Sequence, residues 1–478
     1  MVKVLDCTLR EGCQARQCNF NTEQSVLIAQ EIGGLGVDMI EAGHPLISQE
    51  ESDRVRAIVE STSVPVLAHA RARREDIDAV IAVKAPWVGL FASVNPVSLE
   101  TKFKGKSRED VLEMFSDTIS YAKSNGLKVR ATIEDAARTQ LVDLLSMTRI
   151  ASQAGADRVC FADSVGALSP TETYNVLSTL VREFPEVTFE YHVHNDLGLS
   201  LANTLAAIDA GVEWHSTSCH GIGERAGITD TFQLIAYLAN KKNEARFNLS
   251  RFSILSNLVE AFSRITLSPM HPIVGENAFN HVARLHQLAV KEKDDSYHSL
   301  NPEMFSKVAS LSKHDPLVEE RLFVEPFEKS ATELKYHRHG PGKRFVMLDK
   351  RLLDASPYYF IARQFLEEGS LPMPGHVDGH THKCDSVFLF LGTDEDYKGL
   401  TVEVIVGSEK RTLESPATVF IPAGAHHTYR YLSGTGTYIN FVHSGDYNSS
   451  LLEIPGREGQ EFSHLPVSRD EKVNAVFA

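Results

Sequence analysis

Between residues 2 and 218, eight short apolar runs rich in β-branched residues alternate with amphipathic helical patterns, and this alternation narrows the accessible folds more than any other feature of the chain. The runs are Val2–Leu5, Val37–Ile40, Val64–Leu67, Trp87–Phe91, Leu127–Ile133, Arg158–Phe161, Val187–Tyr191 and Val212–Ser218. Units of strand, helix and strand build parallel sheets through right-handed crossovers. One helical segment shows the punctuation: Ser107 and Asp110 form a capping box, Val111, Phe115, Ile119 and Ala122 form one stripe, and Gly126 supplies the stop. Leu35-Gly36-Val37-Asp38, Ala154-Gly155-Ala156-Asp157 and Ala210-Gly211-Val212-Glu213 repeat one device, a helix-ending glycine just before a strand. Eight such units predict an α/β fold, a (β/α)₈ TIM barrel over residues 1–245, with its reactive side chains where strands end and βα loops begin.

Beyond the barrel the pattern changes twice. Residues 246–345 read as a polar helical extension, broken at Pro269, Pro272, Pro302 and Pro316. From about Leu352 the period falls to two, with strands expected at Val387–Gly392, Leu400–Val406, Ala417–Pro422 and Thr437–Val442, so residues 346–478 are expected to form a separate all-β domain of double-sheet, jelly-roll type. Lys and Arg number 48 against 63 Asp and Glu, and this net charge of −15 argues against nucleic acid as a partner. No apolar run approaches the roughly 20 residues that cross a bilayer, so no membrane association is expected. The six cysteines lack zinc-finger or disulfide-scaffold spacing and the first residues lead straight into a strand, which predicts a reducing, cytoplasmic location.

Strand one ends in Arg10-Glu11 and strand seven in His192-Val193-His194. Residues two apart on a strand point to the same side, so both imidazoles can meet one ion, and Glu11 can complete a His₂-carboxylate face with open positions. The alternative is a satisfied histidine pair at a sheet end.

Six linked motifs, Thr8–Gln14, Ile40-Glu41-Ala42-Gly43-His44-Pro45, Glu134-Asp135-Ala136-Ala137-Arg138, Asp163-Ser164-Val165-Gly166, His192-Val193-His194-Asn195-Asp196-Leu197-Gly198 and Gly221–Gly227, resemble the Claisen-condensing branch of the DRE-TIM metallolyases, which includes homocitrate and isopropylmalate synthases. The resemblance spans roughly residues 1–310. It implies condensation of acetyl-CoA with a 2-oxo acid and release of CoA, on a divalent metal (Zn, Mn or Mg) held by Glu11, His192 and His194. It also implies that Arg10 neutralises the developing oxyanion, that Glu134 is catalytic, and that Ser164, where the family has Thr, meets the substrate carboxylate. His286 and Tyr297 match the family's acid/base segment, which reaches the neighbouring subunit's barrel; a homodimer with exchanged helical segments is the expectation. Arg284 and His298 depart there from the usual Gly and Glu. His220 stands where isopropylmalate synthases carry Asn, as an added ligand or a pocket wall.

His69, in Leu67-Ala68-His69-Ala70-Arg71, and Arg138 match positions that face the distal carboxylate in homocitrate synthases, and with Arg71 also a candidate substrate-binding residue this favours an oxo acid with a second anionic group: 2-oxoglutarate, oxaloacetate or phosphonopyruvate. Alternatively Arg138 pairs with Asp135 or Glu134 and only shapes the rim. A lyase or aldolase cleaving a hydroxy acid, and an isopropylmalate- or citramalate-type synthase, are the competing activities on the same barrel.

Gly375–His382 with Asp385-Ser386-Val387-Phe388, and Pro422–His427, resemble the two cupin motifs. His380, His382 and His427 match three ligands of that family, a candidate second metal site in which Ser386 replaces the usual glutamate. The competing readings are a metal-free jelly roll for dimer contacts or effector sensing, and a cupin-centred sensor or dioxygenase on a barrel that only binds ligand.

Overall fold

The computed structural model describes residues 1–293, 296–307, 324–329, 334–337, 342–353, 356–366 and 377–452. Two compact units result, Met1–Val259 with Ile265–Ser312, and Glu260–Arg264 with Lys313–Ala478.

In the first unit eight strands, β1 (Lys3–Asp6), β2 (Met39–Gly43), β3 (Val66–Arg71), β4 (Trp87–Ala92), β5 (Lys128–Ile133), β6 (Arg158–Asp163), β7 (Phe189–Val193) and β8 (Trp214–Thr217), close into a parallel barrel in chain order. Closure is made by β1 on β8, with Lys3 opposite Trp214 and Asp6 opposite Thr217. The crossovers use α1 (Thr22–Leu35), α2 (Gln49–Ser61), α3 (Arg74–Ala82), α4 (Pro96–Glu100), α5 (Arg108–Ser124), α6 (Leu141–Gln153), α7 (Pro170–Glu183), α8 (Ser200–Asp209) and α9 (Thr231–Lys241). Their starts follow from capping: Ser107 with Asp110, Asn21 with Gln24 and Ser169 with Glu172 form reciprocal boxes. The predicted stripe of α5, Val111, Phe115, Ile119 and Ala122, is buried.

All eight expected strands are present, but β2, β3, β6 and β7 run past the apolar runs that announce them. The apolar signal stops at Ile40, Leu67, Phe161 and Tyr191, whereas ladder bonding is a main-chain property and continues through Glu41, His69, Arg71, Asp163 and His192. The extra residues include the polar Glu41, His69, Arg71, Asp163 and His192.

Two helices of the extension are described, α10 (Phe252–Ser263) and α11 (Arg284–Glu292); Pro316 lies outside the described residues. No helix among the described residues is long and apolar enough to cross a membrane.

The second unit is antiparallel. β9 (Phe327–Glu328), β10 (Arg344–Leu348), β11 (Tyr359–Phe365), β12 (Ser386–Gly392), β13 (Leu400–Val406), β14 (Glu409–Glu414), β15 (Ala417–Ile421), β16 (His427–Gly434) and β17 (Gly436–Val442) form a six-stranded sheet ordered β15-β12-β17-β11-β10-β9 and a three-stranded sheet ordered β14-β13-β16. β11, β12 and β17 alternate buried and partly exposed residues, unlike the barrel strands, which are buried on both faces. β14 reads Glu-Lys-Arg-Thr-Leu-Glu and gives no apolar signal; it is an exposed edge strand held by main-chain pairing to β13. The inward face is aromatic, with Tyr359, Phe365, Phe388, Phe390, Tyr429, Tyr431, Tyr438 and Tyr447 in its core. Gly375 and His376 of the first histidine motif lie outside the described residues.

Candidate active site and metal centres

The loop after β1 and the end of β7 bring Glu11, His192 and His194 together, all buried, with one ligand atom from each lying within 4.8 Å of the others. Glu11 Oε1 is 3.9 Å from His194 Nε2, and the two imidazoles stand edge to face at 5.3 Å. The main chain sets this geometry. His194 N donates to Asp163 O, and a Cβ on Gly166, at φ +59°, would lie 2.6 Å from His194 O. Glu224 N donates to Glu11 Oε1 at 3.0 Å, while a Cβ on Gly223 would lie 3.0 Å from Glu11 Cγ. The Gly221–Gly227 loop thus closes onto the carboxylate and orients it.

Charge state matches geometry. Burial, followed by the neighbouring His194, holds His192 down to about 3, and burial lowers His194 as well. Burial also works against the Glu11 carboxylate, but Arg10 and the two imidazoles outweigh it and hold its pKa below the usual range. An ionised carboxylate beside two neutral imidazoles is the state a divalent cation requires, and His194 Nδ1 is buried without a hydrogen-bond partner among the described residues. The residues present therefore fit a divalent metal.

Arg10 bridges Glu11 and Glu41, donating to Glu41 Oε2 from Nε at 2.9 Å and Nη2 at 2.7 Å. Glu41 also accepts from Arg130 at 2.8 Å; Arg130 reaches Glu190, which pairs with Arg158 at 2.7 Å and accepts from Ser216. This chain of charges is wholly buried behind the triad, apart from the Arg10 tip. Its inner members carried no role in the sequence reading. A signal existed: Arg130, Arg158 and Glu190 interrupt runs otherwise fit for strands buried on both faces, where a charge requires a partner.

A cavity of about 950 Å³ opens over the triad, and it is lined by Arg10, Glu11, His69, Arg71, Glu134, Arg138, Ser164, His192 and His194 among others. His69 lies 3.2 Å from Glu41 Oε1, stacks on Phe91 at 4.9 Å, and burial holds it down to about 4. Arg71 pairs with Asp76, and Ser164 Oγ accepts from Asp135 N at 2.9 Å. Glu134 pairs through Oε1 with Lys102, a cavity residue that sequence reasoning missed, while its Oε2 is buried without a partner among the described residues. Arg138 is half-exposed and bonded to Asp135 through Nε and Nη2, the pairing that the alternative reading named, because the turn Ala136–Arg138 folds it back three residues.

Three expected participants lie elsewhere. His220 bonds Ser256 Oγ at 2.7 Å and packs against Phe232 and His271, outside the clustered ligand atoms. His286 and Tyr297 stack on each other at 4.0 Å, and neither lines the cavity of its own barrel.

In the β unit His380, His382 and His427 converge, all buried, again with ligand atoms within 4.8 Å. Each is anchored through Nδ1, His380 to Asp378 O, His382 to Ser450 Oγ and His427 to Ala425 O. Anchoring of one nitrogen orients the other inward. Nε2 of His382 and of His427 is buried without a hydrogen-bond partner among the described residues, while His380 Nε2 is 2.7 Å from the Tyr447 hydroxyl. Burial holds His380 down to about 4 and both others well below the usual histidine value. Three neutral, preoriented imidazoles fit a metal. Ser386, at the position expected to lack a carboxylate ligand, is buried with its Oγ unpartnered.

Comparison with known proteins agrees with the first unit. The family model described as HMGL-like matches residues 1–259. A homocitrate synthase of Saccharolobus solfataricus is 38% identical over 311 residues, covering 64% of this chain and 67% of that protein, and one of Sulfurisphaera tokodaii is 39% identical over the same shares. Among solved structures, an HMG-CoA lyase of Bacillus subtilis superposes with a TM-score of 0.51 at 18% identity, over 56% of this chain and 95% of that one, a likeness of fold. The strand-end motifs, the eight-stranded barrel and these matches agree, and the chain belongs to the HMGL-like family of DRE-TIM barrels.

Proposed function

We propose that this chain is an acyltransferase that condenses acetyl-CoA with a 2-oxo acid bearing a second anionic group, in the manner of homocitrate synthase, and releases CoA with a 2-hydroxy polycarboxylic or phosphono acid. The observation that carries this reading is the juxtaposition, in one cavity, of a metal-competent Glu11–His192–His194 face with Arg10 and a rim of His69, Arg71 and Arg138. The curated relatives named homocitrate synthase support it.

A divalent ion bound by Glu11, His192 and His194 supplies Lewis acidity toward a ketone and its carboxylate. The Arg10 guanidinium, held beside that face by Glu41, stabilises the negative charge that develops on the ketone oxygen. Glu134 presents Oε2 toward the acetyl methyl group, and Lys102 holds its other oxygen. Proton transfer from the methyl carbon to Glu134 Oε2 leaves an enolate whose carbon attacks the ketone carbon, the ketone oxygen takes up a proton to become the hydroxyl, and water then cleaves the thioester to CoA thiol and carboxylate. His69, neutral and stacked on Phe91, with Arg71 and Arg138, receives the distal anionic group once Arg138 exchanges Asp135 for substrate.

His286 and Tyr297 act in the partner's barrel in this reading. Support comes from α11 and its flanks, where Val282, Leu285, Leu288 and Tyr297 are exposed apolar side chains, as expected of a segment that a second copy covers. A second divalent ion belongs to His380, His382 and His427, within a cupin domain. Six free cysteines agree with a reducing, cytoplasmic setting.

The test is thiol release from acetyl-CoA with single oxo acids and added Mg, Mn or Zn. Release with 2-oxoglutarate, oxaloacetate or phosphonopyruvate is expected. Release only with monoanionic oxo acids overturns the substrate class, and cleavage of a hydroxy acid without acetyl-CoA overturns the reaction.

A further inference from the structure

The interior of the β unit holds a second set of polar groups that the three histidines do not explain. Arg344 on β10 and Arg363 on β11 are directly opposite each other in the ladder, and both are buried. Nε and Nη1 of each have no hydrogen-bond partner among the described residues. Asp349, the acid just beyond β10, is taken by Arg351. The Tyr429 hydroxyl beside Arg363 is a neutral neighbour, and no carboxylate among the described residues pairs with either guanidinium. Two adjacent guanidinium groups inside an aromatic core repel each other and forfeit their hydration, and an anion between them would offset both costs.

The surroundings describe what enters. The Tyr359 hydroxyl, Asn440 Oδ1 and Ser386 Oγ are also buried and unpartnered among the described residues. Register places Tyr438 beside Arg363, and Asn440 two residues along the same strand opposite Ile361. Arg344 and Val346, both buried, share one face of β10, and Val346 belongs to the core that holds Tyr359, Tyr429, Tyr438 and Tyr447, the last the hydroxyl neighbour of His380. Forked donors match a carboxylate, and the tyrosine and phenylalanine walls match a carbon body that a bare inorganic anion lacks. Asn440 Oδ1 accepts, so it selects a ligand that also carries a hydroxyl.

We propose that the β unit binds a small hydroxycarboxylate, with its carboxylate between Arg344 and Arg363 and its hydroxyl toward Asn440. This assignment needs neither the barrel chemistry nor an ion on the three histidines.

The test uses the full chain carrying Glu11→Gln and His194→Ala, so that the barrel does not contribute, and L-malate as the probe. Hydrogen exchange is followed in β10, β11 and β17, with titration for affinity. Malate is expected to slow exchange in those strands. Arg344→Met with Arg363→Met abolishes that protection, and without malate is at least as thermostable as its parent, because the unpaired charges are gone. Arg363→Lys keeps charge but not the fork and weakens malate about tenfold. No protection in the parent, protection that survives in the double methionine variant, or a double variant less stable than its parent without ligand each overturns the proposal, the last by making the arginines structural. Equal protection by inorganic phosphate overturns the carboxylate assignment.

Discussion

The barrel and the β unit each gather three metal-competent side chains, yet they balance charge in opposite ways. In the barrel every buried guanidinium has a carboxylate: Arg10 meets Glu11 and Glu41, Arg130 meets Glu41 and Glu190, and Arg158 meets Glu190. In the β unit Arg344 and Arg363 meet none among the described residues, and the three histidines are joined by no acid. A self-paired network positions its ligands before anything binds, as catalysis requires. An unpaired one stores its favourable energy for a ligand.

The sharpest test of this contrast is activity. His194→Ala or Glu11→Gln is expected to lower condensation by about 10³-fold or more, since a Lewis acid supplies several kcal/mol of transition-state stabilisation. His382→Ala leaves thiol release within a few fold while removing one of two bound metal equivalents, read by elemental analysis. Loss of condensation in both variants breaks the division of labour.

Stability gives the next difference. Arg130→Met takes one of two guanidinium partners from both Glu41 and Glu190 and leaves one negative charge in excess in a dry interior, and it is expected to cost about 3–5 kcal/mol in denaturant unfolding. The matched change Arg344→Met has the opposite sign in ligand-free protein. Equal signs would erase the comparison.

Acid sharpens it further. His215, in the barrel wall, is held down to about 4 by burial, so its neutral form stabilises the fold above the unfolded value near 6.5, and this is lost as pH falls from there through about 4. His215→Asn is expected to flatten that part of the barrel's pH–stability curve and leave the acid response of the β unit unchanged, as read by hydrogen exchange.

The smallest expected effect is Gly223→Ala, whose Cβ presses on Glu11 Cγ. It should weaken metal binding by about 1–2 kcal/mol and leave the unfolding midpoint of the apoprotein nearly unchanged. Unaltered metal affinity would mean that the loop does not orient Glu11.

Legibility followed the same division. The eight strands were legible because parallel strands buried on both faces leave continuous apolar runs, and His192, His194 and Glu11 were legible because alternation puts the imidazoles on one side of a strand. The edge strand β14 was hidden by its charges, and Lys102 was hidden because nothing local ties it to Glu134, 32 residues away. Arg138 was visible as a residue, but its partner was decided by a turn conformation with Asp135 at φ +56°.

By itself the sequence determined the barrel, the antiparallel character of the C-terminal strands, and the side chains able to hold metal, since these rest on periodicity and on spacing within single elements. Only the tertiary structure decided which charges share a partner: Glu41 with Arg130, Glu190 with Arg158, and Arg344 facing Arg363 with no acid between them among the described residues. Electrostatic pairing acts through space at a few ångströms, and closing a barrel or registering two strands sets those distances without leaving a trace along the chain.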